Sequence, residues 1–190
     1  MRSAAPLLAA LALGGCATAM ADRPLADIDR ALVSDDPLVA TAALLSAAEA
    51  APDSEARAPM LARLDALAVR AIDGETVDPL AKWRNEAGPA ELPYRGRTLG
   101  PAYRRVTLKP GGAVNLDQIF YAGKRAEMVA RTNGGQPVVL AIADPRAGSV
   151  CEARLAPEGR CKWLPIFTER FSIALKNQST KPANVYLVFE

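Results

Sequence analysis

The chain contains no histidine at all. That absence removes the general base of a Ser-His-Asp or Cys-His arrangement, and with it the usual nucleophilic hydrolases. It also removes the commonest metal ligand. The cysteines number three, too few by themselves for a tetrahedral zinc site. Aromatic residues make up only 5%, which leaves few side chains for a stacking surface. There is no long basic run, and 23 Lys and Arg stand against 21 Asp and Glu. Nucleic acid is therefore not an implied partner. No phosphate loop of the GxxxxGK type occurs; Thr132-Asn133-Gly134-Gly135-Gln136 reads as a hairpin turn. No apolar run approaches the roughly 20 residues of a spanning helix.

What is present begins at the N-terminus. Arg2 gives a positive start, Leu7 to Leu13 form a short apolar run, and Gly14-Gly15-Cys16 follows. A charged head, a brief apolar segment and small residues describe a secretory signal. Leu13-Gly14-Gly15-Cys16 resembles the lipobox of bacterial lipoproteins, which implies lipidation of Cys16 as the new N-terminus. The alternative is an ordinary signal cut after Ala19-Met20-Ala21, which discards Cys16 and releases a soluble periplasmic protein. Both readings export the chain. Resemblance to the lipoprotein class also implies three acyl chains and hence a firm membrane anchor. Ala17 after the cysteine points, in the sorting rule of that class, to the outer membrane.

Removing the first 21 residues from 190 leaves about 170, enough for one ordinary domain or two small ones. Half the residues are hydrophobic, so a core is available. Cys151 and Cys161 then form an even pair in an oxidising compartment. They flank the turn-like Ala156-Pro157-Glu158-Gly159, and a hairpin would bring them together as a disulfide. Two buried free thiols are the other reading.

Composition changes near residue 90. Before it alanine and leucine dominate; after it valine, isoleucine, phenylalanine and tyrosine come in short runs between Gly, Pro, Asn and Asp. The pattern predicts a helical hairpin or small bundle over 22–90, a Gly/Pro-rich linker over 91–102, and an antiparallel β-sandwich over 103–190, an α+β chain. Leu25, Ile28 and Leu32 share one helical face. Asp36-Pro37 and Asp78-Pro79 read as cap followed by first-turn proline. Asp53 or Ser54 caps a helix on which Met60, Leu64, Leu67 and Ala71 recur, with Gly74 as its stop. Eight strands are expected, among them 118–122, 125–131, 150–153, 160–163, 170–175 and 184–189.

The β part resembles bacterial pre-peptidase C-terminal-like domains. The residues that carry this are Val139 to Cys151, Cys161 to Asn177 and Asn184 to Leu187: a strand ending in Asp144, a Gly148 turn, a Trp163 approach with Pro165, a strand ending in Asn177, and a final strand with Tyr186. The resemblance covers about 103–190. It implies a jelly-roll sandwich acting as an accessory module of secretion, adhesion or carbohydrate contact.

Candidate sites follow. Trp163, Phe167 and Tyr121 could form an aromatic platform for a glycan, against the commoner use of strand aromatics as core. Asp117, Asp144 and Glu152 could hold calcium, as in some domains of the resembled type, but no aspartate-rich loop is present and Asp144 suits a turn. Trp83, between Lys82 and Arg84, either anchors the helical part or shapes a groove. Glu86, Glu91, Glu127 and Glu152 are the carboxylates available for glycoside chemistry. The expectation is a non-catalytic envelope module without cofactor or metal. Its partners are the membrane through the anchor and an envelope protein, with a glycan or cell-wall ligand as the alternative.

Overall fold

The computed structural model describes residues 33–72, 78–88 and 100–190. The signal segment with Cys16, the helix expected around Leu25 to Leu32, Gly74, Glu91 and most of the expected linker lie outside the described residues. Helices α1 (Pro37–Ala50), α2 (Ser54–Ala66) and α3 (Pro79–Ala87) precede eight longer strands. These are β2 (Ala102–Leu108), β3 (Ala113–Phe120), β4 (Ala126–Asn133), β5 (Val138–Asp144), β6 (Gly148–Leu155), β7 (Glu158–Trp163), β8 (Glu169–Asn177) and β9 (Ala183–Phe189). A two-residue strand, β1 (Arg70–Ala71), pairs in parallel with β2. One sheet runs β1-β2-β9-β4-β7 and the other β3-β8-β5-β6. All other pairings are antiparallel. The chain is thus an α+β fold built on a β-sandwich.

The capping prolines behave as their sequence implies. Asp36 and Asp78 each accept from the two backbone N–H groups that follow the first-turn proline. Asp53, not Ser54, caps α2, accepting from Ala56 N at 2.8 Å. Each bond satisfies a donor that the helix itself leaves open.

Two cores share one sheet. Inside the sandwich, Phe171, Ile173 and Leu175 of β8 meet Met128, Ala130, Val185 and Leu187 of the facing sheet. On that sheet's other face, Val129, Tyr186 and Val188 meet Leu44, Leu45, Leu64 and Leu80 of the helical layer. Strands β4 and β9 are therefore covered on both sides, which is why both of their faces are apolar. The strands of the second sheet have solvent on one side and alternate accordingly, with Lys176 outward beside Leu175 inward. α1 is buried almost all round, because it packs against α2 as well as β4 and β9. Its alanines make that close approach feasible.

Half-buried Glu49 of α1 ties the layers together. Its Oε1 accepts from Arg105 Nε of β2 at 3.1 Å and from Asn184 Nδ2 of β9 at 3.1 Å. Burial pushes its carboxyl up, but the Arg105 hydrogen bond and charge hold it below its ordinary value of 4.5. A depressed carboxyl stabilises the fold above its ordinary value, and that stabilisation disappears as pH falls through the folded value. Glu49→Gln should therefore flatten the dependence of the urea midpoint on pH between neutrality and strong acid. An unchanged slope would remove Glu49 from the acid response.

Several expectations are corrected. The helix predicted to run through Ala71 ends at Ala66. Ala68 takes a left-handed φ of 54°, its N–H bonds Asp65 O, and Val69 N–H bonds Leu64 O. This closing turn satisfies the last carbonyls and frees Arg70–Ala71 to pair with β2. The chain returns so closely there that a Cβ on Gly100 would stand 1.9 Å from Leu67 O. The strand predicted at 118–122 runs instead over β3, so Tyr121 falls in the loop after it. The turn at 132–136 does not close a hairpin. β4 pairs with β7 and β9, and β5 lies in the opposite sheet. The described strands number nine, one more than expected, because β1 sits inside the predicted helix.

Cys151 and Cys161 form a disulfide, with Cα atoms 6.0 Å apart. Its setting differs from the expected hairpin. β6 belongs to one sheet and β7 to the other, so the bond staples the two sheets across one edge of the sandwich.

Candidate functional site

Strand register gathers three loops at one end of the sandwich. Phe120 at the end of β3 faces Glu169 at the start of β8, and Ala143 near the end of β5 faces Ser172. Trp163 at the end of β7 faces Ala126 at the start of β4. The loops 121–125, 145–147 and 164–168 consequently lie together. Two of them are hydrogen-bonded to each other: Gly123 N–H to Pro165 O at 2.9 Å, and Ala122 N–H to Thr168 Oγ1 at 3.0 Å.

The predicted aromatic trio divides here. Tyr121 and Phe167 are both exposed, at 60% and 50%, on these joined loops. Trp163 is not with them. It follows Cys161 on the inward face of β7 and packs edge-on against Phe120 at 4.7 Å between ring centroids, with Phe171 at 6.0 Å. Its indole Nε1 is buried without a hydrogen-bond partner among the described residues. Trp163 braces the core beneath the loops rather than offering a face to a ligand.

Two residues that sequence reasoning passed over complete the surface. Leu164 and Ile166 are exposed at 63% and 77%. The signal was the proline between them: Pro165 halts the strand, so apolar neighbours that would otherwise alternate into a core are left on a loop. Cations border this apolar end. Lys124 Nζ lies 5.3 Å from the Tyr121 ring centre and the Arg146 guanidinium 4.6 Å from that of Phe167. Arg146 also pairs with Glu169. Arg125 is exposed.

A groove of about 920 Å³ opens beside the loops, between β1 and β2 on one side and the end of β3 on the other. Arg70, Arg104, Lys124, Arg125 and Arg170 line it, against the carboxylates of Asp117 and Glu190. It is mildly cationic. Arg170 stands 4.0 Å from Asp117.

The other candidates are dispersed. Asp117 is on β3, Glu152 on β6, and Asp144 spends its carboxylate on Arg146 N and Ala147 N at 2.7 and 3.0 Å in the β5–β6 turn. Among the described residues no three His, Cys, Asp or Glu side chains cluster as metal ligands. Glu86 on α3 pairs with Arg57 and Lys82, and Glu127 on β4 pairs with Arg160 and Lys162. Trp83 is buried in the helical core beneath Arg57, 5.4 Å from its ring, and does not line the groove. Among the described residues no helix is long and apolar enough to cross a membrane.

No protein-family model and no curated protein matches the chain. Among solved structures it is similar to the pre-peptidase C-terminal domain of collagenase from Bacillus anthracis, at 7% identity and a TM-score of 0.38, over 46% of this chain and 87% of that one. It is also similar to PliG of Aeromonas hydrophila, a periplasmic inhibitor of g-type lysozyme, at 10% identity and a TM-score of 0.37, over 47% and 84%. A de novo designed double-stranded β-helix gives 18% identity and a TM-score of 0.33, over 46% and 97%. These likenesses are to less than half of this chain, and none bears on its function.

Proposed function

We propose that the chain is a non-catalytic, exported binding module, lipid-anchored through Cys16 and facing the periplasm, which recognises an envelope component with the loop end of its sandwich. The observation that carries this reading is the exposure of Tyr121, Leu164, Ile166 and Phe167 on two loops joined to each other by hydrogen bonds. A sandwich that displays ordered apolar side chains at one end has the usual form of a recognition surface. The lack of histidine, and among the described residues the separation of Glu86, Glu127 and Glu152 onto α3, β4 and β6, favour binding over hydrolysis. The Cys151–Cys161 disulfide fits an oxidising compartment. We read the topology as a jelly roll of the pre-peptidase C-terminal-like kind; the strand orders β2-β9-β4-β7 and β3-β8-β5-β6 support this.

Capture of envelope material tests the surface. The Tyr121→Ala, Phe167→Ala double variant should lose most of the protein or cell-wall material that co-sediments with the parent chain, with no change in melting temperature. Full retention by that variant would move recognition elsewhere. Labelling cells with radioactive palmitate tests the anchor. An unlabelled chain whose mature end is Asp22 would overturn lipidation.

A further inference from the structure

We infer that the loop end docks on an anionic lipid surface, inserting Leu164, Ile166 and Phe167 at the headgroup boundary; this rests on the loop end being the recognition surface. The apolar part comes from a loop of five residues in which three large side chains are exposed. Such side chains gain by leaving water, and aromatic rings settle at a membrane interface. Backbone groups at a tip that enters lipid need partners within the protein. Here Pro165 O and the N–H groups of Ala122 and Gly123 are already bonded between the two loops.

The charge pattern selects the lipid. Lys124 and Arg146 lie against Tyr121 and Phe167, so each aromatic side chain carries a cation at its side. Arg125 adjoins them, exposed. Long cationic side chains reach headgroup phosphates while their stems stay beside apolar groups. Of the nearby acids, Glu169 is taken by Arg146, Asp144 caps its turn and Asp117 stands 4.0 Å from Arg170, with Glu190 also lining the groove; Lys124 and Arg125 are therefore the cations left to meet headgroups. A neutral sugar would find no use for this fringe of positive charge, and exposed apolar side chains with cations beside them match the apolar and charged layers of an anionic lipid surface.

The test uses the full chain carrying Cys16→Ser, so that no acyl chain can be added there. An environment-sensitive fluorophore is placed at Ile166→Cys, or at Thr180→Cys in the β8–β9 loop at the opposite end. With phosphatidylglycerol–phosphatidylethanolamine vesicles, the dye at 166 should shift to the blue and the dye at 180 should not. Phosphatidylcholine vesicles should give little shift. Ile166→Ala and Phe167→Ala should each weaken vesicle binding roughly tenfold. Lys124→Glu with Arg125→Glu should lower it at least roughly fivefold per residue, and added salt should act the same way. No shift at 166 with anionic vesicles overturns the lipid proposal. If peptidoglycan fragments or an envelope protein then shield that dye from iodide, the binding-module reading survives with another ligand. If nothing shields it, both fall.

Discussion

Phe171→Ala is expected to cost about 3–5 kcal/mol, the range for emptying a buried phenylalanine site. Phe171 is 1% exposed. It packs against both Phe120 and Trp163, with ring centroids at 5.5 and 6.0 Å, so its removal would open a void beside two large rings. Leu44→Ala, in the helical core, should cost about 2–5 kcal/mol by the same reasoning. Both variants should unfold in one transition. Residues of β4 and β9 alternate between the two cores, Val129 and Val188 to one, Met128 and Leu187 to the other. Loosening either core withdraws support from strands that the other needs. Coincident loss of near- and far-ultraviolet circular dichroism in urea would confirm this coupling. Separate helix and sheet transitions would show that α1–α3 and the sandwich are independent units.

Removing the disulfide should have the next largest effect. The double variant Cys151→Ala, Cys161→Ala is expected to lose about 2–3 kcal/mol, from the chain entropy regained when so short a loop is opened. Cys161 is also buried, so some packing is lost with it. A reductant should lower the melting temperature of the parent chain and leave that of the double variant unchanged. Equal stability of the two proteins without reductant would show that the staple contributes nothing beyond the β6–β7 corner.

Local chemistry made much of this fold legible. Asp36-Pro37 and Asp78-Pro79 announce helix starts because a carboxylate cap and a proline have few other uses in that order. The β8 strand is legible because Phe171, Ile173 and Leu175 alternate with Ser172 and Lys176, the mark of one wet face. Long-range pairing was not legible. Thr132 to Gln136 has the composition of a hairpin turn, yet it carries the chain between sheets, and only the partners of β4 decide that. β1 was hidden for the same reason: two residues acquire strand geometry because β2 offers an edge. At the candidate site, Tyr121 and Phe167 could be singled out as aromatics. Trp163 could not be told from them, since exposure depends on which face of β7 points inward. Leu164 and Ile166 were passed over because exposed aliphatics resemble core residues in a list of letters.

The position of β9 has a consequence for the order of assembly. It lies between β2 and β4 and pairs with both. Until it is synthesised, the sheet beneath the helices exists only as separate pieces, β1 with β2 and β4 with β7. α1 lacks part of its floor over the same interval. A chain threading out in order, from ribosome or membrane pore, therefore holds its earliest helices and strands open, with bare edges in need of escort. Maturation waits for the arrival of the latest strand, which locks the halves together in a single closing step.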